Sequence, residues 1–177
     1  MATVAGRIKA TNLTESGAEL RRLLVERGVL LVPQANLTDE QQVTLASHIG
    51  NIRDEGEKGI FKITLDNRAN QQALYLKGSM NWHMDGTHDD YPPRASIVTP
   101  RVLPPTSTGH TEFVNAYASW DDLPEEDKQL LEGLTAAHTQ TFALPLTGQP
   151  SEAQLARVER LGVRLQPAVW QHRNGRK

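Results

Sequence analysis

The stretch from Gly59 to Asn115 constrains the fold most, because its apolar residues come in short runs divided by turn-forming residues and proline. Gly59-Ile60-Phe61-Lys62-Ile63-Thr64-Leu65 alternates as a half-buried strand does, and Ala73-Leu74-Tyr75-Leu76 is short and apolar. Ala95 to Leu103 is a further strand, interrupted by Pro100, and Gly109-His110-Thr111-Glu112-Phe113-Val114-Asn115 opens another. Proline cannot donate to a ladder, so such runs favour short strands joined by bends over a long continuous sheet. Helical patterns lie to either side. The fold class expected is mixed α and β, mainly β: a β-sandwich or jelly roll decorated by peripheral helices.

The flanks can be read in order. A short strand is possible at Val4 to Ile8. Leu20, Leu23 and Leu24 recur at helical spacing and stop at Gly28, a good residue just past a helix end. Val29 to Val32 is a continuous apolar run that Pro33 ends, so a buried strand is expected there. Thr38-Asp39-Glu40-Gln41 is a capping box, and the helix behind it carries Val43, Leu45, Ala46 and Ile49 to Gly50. Asp122-Leu123-Pro124-Glu125 predicts a second strong helix start, with Asp122 as N-cap and the helix running to Gly133. Glu152 to Leu161 predicts a surface helix and Val163 to Trp170 a strand. Residues 51–58, 67–72 and 145–151 are polar or rich in glycine and proline, and are expected as loops.

At 177 residues the chain fits a single domain, 1–177. A net charge of −2 provides no basic face for nucleic acid or an anionic membrane. Cysteine is absent, which excludes disulfide and thiolate chemistry, and no apolar run has the length of a signal peptide core or a membrane span. A soluble, cytoplasmic protein is expected.

Chemistry is concentrated at Met80-Asn81-Trp82-His83-Met84-Asp85-Gly86-Thr87. One intervening residue puts an imidazole and a carboxylate on the same face of an extended strand. With a further histidine from elsewhere, such a pair forms the face of two histidines and one carboxylate that binds Fe(II) and leaves positions open. The tripeptide alone is weak, since six histidines and nine aspartates in 177 residues give about 0.3 matches by chance. A second copy, His88-Asp89-Asp90, runs into Tyr91-Pro92-Pro93 and is expected to be loop. Trp82 and Met84 alternate with the pair and are expected to pack in the core.

Several segments in order resemble the taurine dioxygenase and 2,4-dichlorophenoxyacetate dioxygenase family of Fe(II)/2-oxoglutarate-dependent oxygenases. They are Glu26-Arg27-Gly28-Val29-Leu30-Leu31-Val32, Leu37-Thr38-Asp39-Glu40-Gln41 with Ile49-Gly50, and Trp82-His83-Met84-Asp85-Gly86-Thr87. Gly109-His110-Thr111-Glu112-Phe113, Ala116-Tyr117, Leu123-Pro124 and Gly133-Leu134 with His138 continue the likeness. The resemblance implies a double-stranded β-helix, a jelly roll of cupin type, with His83 and Asp85 as iron ligands. It implies that the Thr111 hydroxyl hydrogen-bonds a carboxylate of 2-oxoglutarate. The activity implied is hydroxylation of a small organic substrate with dioxygen, 2-oxoglutarate being split to succinate and carbon dioxide.

The likeness also has gaps. The family takes its second iron histidine and its 2-oxoglutarate arginine from strands near the C-terminus, and neither is present here. The chain closes on His172-Arg173-Asn174-Gly175-Arg176-Lys177, which resembles the hairpin before those strands, and Arg173 and Arg176 are not at the matching place. A jelly roll lacking its C-terminal strands is therefore expected. The alternative is an inactive member serving as a binding or assembly module, for example a homo-oligomer that completes its sheet with a partner strand. A metal enzyme of cupin type with His110 or His88 as third ligand is a further alternative. His48, His88, His138 and His172 are otherwise expected to be structural or solvated.

Overall fold

The computed structural model describes residues 5–7, 17–54, 56–64, 66, 68, 81–106, 108–142 and 150–177. The chain divides into two compact units, Met1–Ile60 with Arg94–Leu123 and Phe61–Pro93 with Pro124–Lys177. The segments expected as a short apolar run at 73–76, and as loops over most of 67–72 and 145–151, lie outside the described residues.

The first unit begins with β1 (Ala5–Arg7), α1 (Gly17–Arg27), β2 (Val29–Leu31) and α2 (Asp39–Ile49). β1 and β2 pair in parallel, Ala5 beside Val29 and Arg7 beside Leu31. α1 ends where the sequence requires: Gly28 takes φ +76°, and its N–H donates to the Leu24 carbonyl at 2.8 Å. The core is the meeting of Leu20 on α1 with Leu45 on α2, ringed by Leu30, Val32, Ala35, Leu37 and Ile97. Thr38 forms the capping box, its hydroxyl accepting from the Gln41 amide while the Gln41 side chain accepts from the Thr38 N–H. The 94–103 segment is fastened to α2 by polar bonds. Gln42 donates to the Ile97 carbonyl at 3.3 Å, and Arg101 donates to the Leu37 carbonyl at 2.5 Å and to Asp39 at 2.6 Å.

α3 (Ala116–Asp121) closes this unit, and the sequence reading missed it. The Asn115 side chain caps it, accepting from the amides of Tyr117 and Ala118. Asp122 is thereby drawn to the C-terminal end of α3, and Pro124 occupies the N-cap of the next helix with no side-chain bond. The expected Asp122 cap is corrected accordingly.

The second unit holds α4 (Glu125–Glu132), β3 (Thr135–His138), a 3-10 turn at Gln140–Phe142, α5 (Glu152–Leu161) and β4 (Arg164–Pro167). Glu125, Glu126 and Asp127 in the first turn of α4 oppose the positive end of its dipole, in place of a cap. Ser151 and Gln154 form a capping box on α5, and Val158 on that helix is buried. β3 and β4 pair antiparallel, Thr135 with Pro167 and His138 with Arg164. Beyond them the chain turns at 172–176, where the His172 N–H donates to the Arg176 carbonyl at 2.8 Å.

The weight placed on β-structure is the main correction to the sequence reading. Among the described residues helix exceeds strand, and Ile60 to Thr64, Ala95 to Leu103 and Gly109 to Asn115 contribute no ladder beyond one bridge between Glu57 and Ile60. Alternation supplies a face but no partner. Val98, Val102, Phe113 and Val114 are all exposed, so burial does not enforce pairing there. The architecture is mixed α and β.

Candidate metal site and its comparison with known proteins

The His83-Met84-Asp85 motif lies in the second unit. It is not the strand that the sequence predicts: residues 82–84 carry no ladder and Asp85 opens a turn that runs to His88. Gly86 allows the turn with φ +66°, and the Asp89 N–H closes it onto the Gly86 carbonyl at 3.0 Å. Trp82 and Met84 are 68% and 59% exposed, so the expected core role is corrected as well. Among the described residues no strand pairs with the motif to supply a buried face.

The two chemical groups nevertheless meet. His83 Nε2 stands 3.4 Å from Asp85 Oδ1, with the side chains 48% and 56% exposed. His83 Nδ1 lies 2.7 Å from the Asn81 carbonyl oxygen, which can only accept, so this nitrogen carries the proton. In the neutral ring the Nε2 lone pair is then left facing the carboxylate. A ring nitrogen and a carboxylate oxygen at this separation suit a cation. Ligand bonds of about 2.1 Å at right angles would separate the donor atoms by about 3 Å, close to the spacing here. A carbonyl bond on the far ring nitrogen is also how metal-binding imidazoles are commonly oriented. The pair therefore fits two positions of a divalent cation. Among the described residues no group of three or more histidine, cysteine, aspartate or glutamate side chains gathers in a metal-binding arrangement.

The second copy of the motif is more deeply engaged than a solvated loop. His88 and Asp89 are 25% and 28% exposed. The Gln140 amide donates to His88 Nε2 at 2.8 Å, and Gln166 donates to the Asp89 carbonyl at 3.4 Å. Arg164 Nε, a buried atom, lies 2.8 Å from Asp90 Oδ1, an ion contact whose angle falls outside hydrogen-bond geometry. Gln140, Gln166 and Arg164 carried no signal in the sequence, since isolated polar residues reveal no partner.

Thr111 and His110 belong to the first unit and both are exposed; Thr111 lies in the ladder-free segment that leads from Gly109, φ +75°, to the Asn115 cap.

The description of the taurine catabolism dioxygenase TauD, TfdA family matches residues 4–177. The chain belongs to this family. It is 28% identical over 163 residues to an (S)-phenoxypropionate/alpha-ketoglutarate-dioxygenase of Sphingobium herbicidovorans, covering 86% of this chain and 54% of that one. It is 31% identical over 156 residues to the alpha-ketoglutarate-dependent 2,4-dichlorophenoxyacetate dioxygenase of Cupriavidus pinatubonensis, covering 77% and 54%. The chain thus spans about half the length of these relatives. Its fold resembles that of AAD-2, crystallised in complex with Mn(II) and N-oxalylglycine, with a TM-score of 0.76 at 22% identity over 100% of this chain and 68% of that one.

Proposed function

We propose that this chain carries part of the site of an Fe(II)/2-oxoglutarate-dependent dioxygenase, which hydroxylates a small organic substrate and releases succinate and carbon dioxide. His83 and Asp85 are the iron ligands contributed by the described residues, and Thr111 is the hydroxyl donor to a 2-oxoglutarate carboxylate. The observation that carries this reading is the approach of His83 Nε2 to Asp85 Oδ1 at 3.4 Å in a chain of this family, with the ring held by Asn81. The relatives named for phenoxypropionate and 2,4-dichlorophenoxyacetate make aryloxyalkanoic acids the first substrates to assay. The double-stranded β-helix of the sequence reading remains the proposed complete architecture.

Bound Fe(II) would supply a centre at which 2-oxoglutarate and dioxygen react together. The protein's own part is narrower. The Asn81 carbonyl accepts from His83 Nδ1 and so orients the ring with Nε2 as the nitrogen a cation would take. Asp85 contributes negative charge that lowers the net charge of a bound divalent cation. A threonine hydroxyl at position 111 can donate to an anionic co-substrate without adding charge.

The test is anaerobic titration of the chain with Fe(II) and 2-oxoglutarate, following the visible charge-transfer band of the chelate. A band in the wild type that disappears in Asp85→Ala supports the reading. A band unchanged by Asp85→Ala would place the cation elsewhere and sink it.

A second reading, a binding or assembly module, is favoured by the apolar side chains left open in the first unit. Val98, Val102, Leu103, Phe113 and Val114 are all at least 60% exposed. Concentration-dependent sedimentation with no chelate band would favour it.

A further inference from the structure

His83 and Asp85 are both about half exposed, so burial does not fix their relative position. Side-chain contacts on the adjoining backbone lie immediately downstream. Three consecutive residues, His88, Asp89 and Asp90, are each held by a different side chain of the β3–β4 region. Gln140 follows β3 by two residues. Arg164 and Gln166 alternate along β4, so both project from the same, partly buried face of that strand. The β3–β4 pair is itself a registered four-residue antiparallel ladder, which makes it a firm base. The residues it grips include the end of the turn that Asp85 begins, and the Asp89 N–H that closes that turn belongs to the gripped segment.

We propose that Gln140, Gln166 and Arg164 are positioning residues for the metal pair: they clamp the His88–Asp90 segment to the β3–β4 strand pair and so hold Asp85 at its distance from His83. This rests on the metal reading given above, but the clamp can be measured without metal. Gln140 donates to an imidazole nitrogen, so His88 is fixed as an acceptor there and its ring serves as an anchor instead of a cation ligand. The reach is short, three residues from His88 to Asp85, and passes through a turn with a backbone hydrogen bond. A loosened clamp therefore changes the spacing of the pair before it changes anything in the β3–β4 ladder.

The experiment compares the 177-residue chain with Gln140→Met and Gln166→Met, which keep the length of each side chain and remove its hydrogen bond. Three quantities are read: amide exchange at Asp89 and along β3–β4 in the metal-free protein, the thermal midpoint, and Mn(II) affinity by electron paramagnetic resonance. Losing one such bond is expected to speed exchange at Asp89 and weaken Mn(II) binding by about fivefold each. The β3–β4 amides should stay as in the wild type, which a general loosening of the unit would not allow, and the thermal midpoint should fall by no more than a few degrees. Unchanged exchange at Asp89 in both variants overturns the clamp. Faster exchange with unchanged Mn(II) affinity overturns the positioning role. A wild-type chain that takes up no Mn(II) overturns the metal reading, while exchange at Asp89 still decides whether the clamp exists.

Discussion

A side chain on Gly17 would collide with His48: an added Cβ would stand 2.7 Å from the His48 carbonyl oxygen and 2.9 Å from its Cβ. The first turn of α1 thus lies directly against the last turn of α2, and the Arg21 guanidinium donates to that same carbonyl. The contact sits at one end of the Leu20–Leu45 core, so the two helices meet through both their backbones and their leucines. Gly17→Ala is expected to destabilise the chain by about 1–3 kcal/mol, since overpacking outweighs the small gain in helix propensity. Urea denaturation checks this, and a variant as stable as the wild type would show that the helices part without cost.

The two capping boxes predict a contrast with a third site. Thr38→Ala and Ser151→Ala each remove a hydroxyl that accepts from an N3 amide, and each should cost about 0.5–2 kcal/mol. Asp122→Ala should cost far less, because Asp122 ends α3 and caps nothing at the start of α4. Thermal midpoints of the three variants are the measurement. A loss at Asp122 equal to that at Thr38 would restore the cap that the sequence alone predicts.

Asp85→Asn keeps the shape of the side chain and removes its charge. With both motif side chains about half exposed, the fold should be unaffected while Mn(II) affinity falls at least about tenfold. Circular dichroism and a Mn(II) titration together separate the two effects. Equal affinity in the variant would remove Asp85 from the ligand set.

On α1, the Arg22 guanidinium hydrogen-bonds the Glu19 carboxylate and holds its pKa below the ordinary glutamate value of 4.5. A carboxyl depressed in the folded state contributes stability that is present above its unfolded pKa and is lost as pH falls through the folded one. The stability difference between wild type and Glu19→Gln should therefore be present at neutral pH and shrink once pH drops below about 4.5. Urea midpoints at a series of pH values check the sign. A difference that grows in acid would mean that Arg22 is not the partner that matters.

Local chemistry made much of the helical framework legible. Gly28, the Thr38 box and the apolar spacing of Leu20 and Leu45 each act within a turn or two of the chain, and each appears where expected. Asp122 failed as a predicted cap because Asn115, seven residues earlier, captured Ala116–Asp121 as a separate helix. Among the described residues, the strands predicted at 59–64, 95–103 and 109–115 failed for a related reason, since alternation states which residues share a face but leaves the ladder partner open.

The sequence by itself determined the family, the boundaries of α1, α2 and α5 and the identity of the paired imidazole and carboxylate, because these depend on residue type and near spacing. Only the tertiary structure decided that Asp85 opens a turn instead of continuing a strand, and that Trp82 and Met84 face outward. It alone joined His88 to Gln140 across 52 residues and Asp89 to Gln166 across 77. Hydrogen bonds of that range depend on how the chain returns on itself, and no local pattern of residues encodes where that return brings two side chains together.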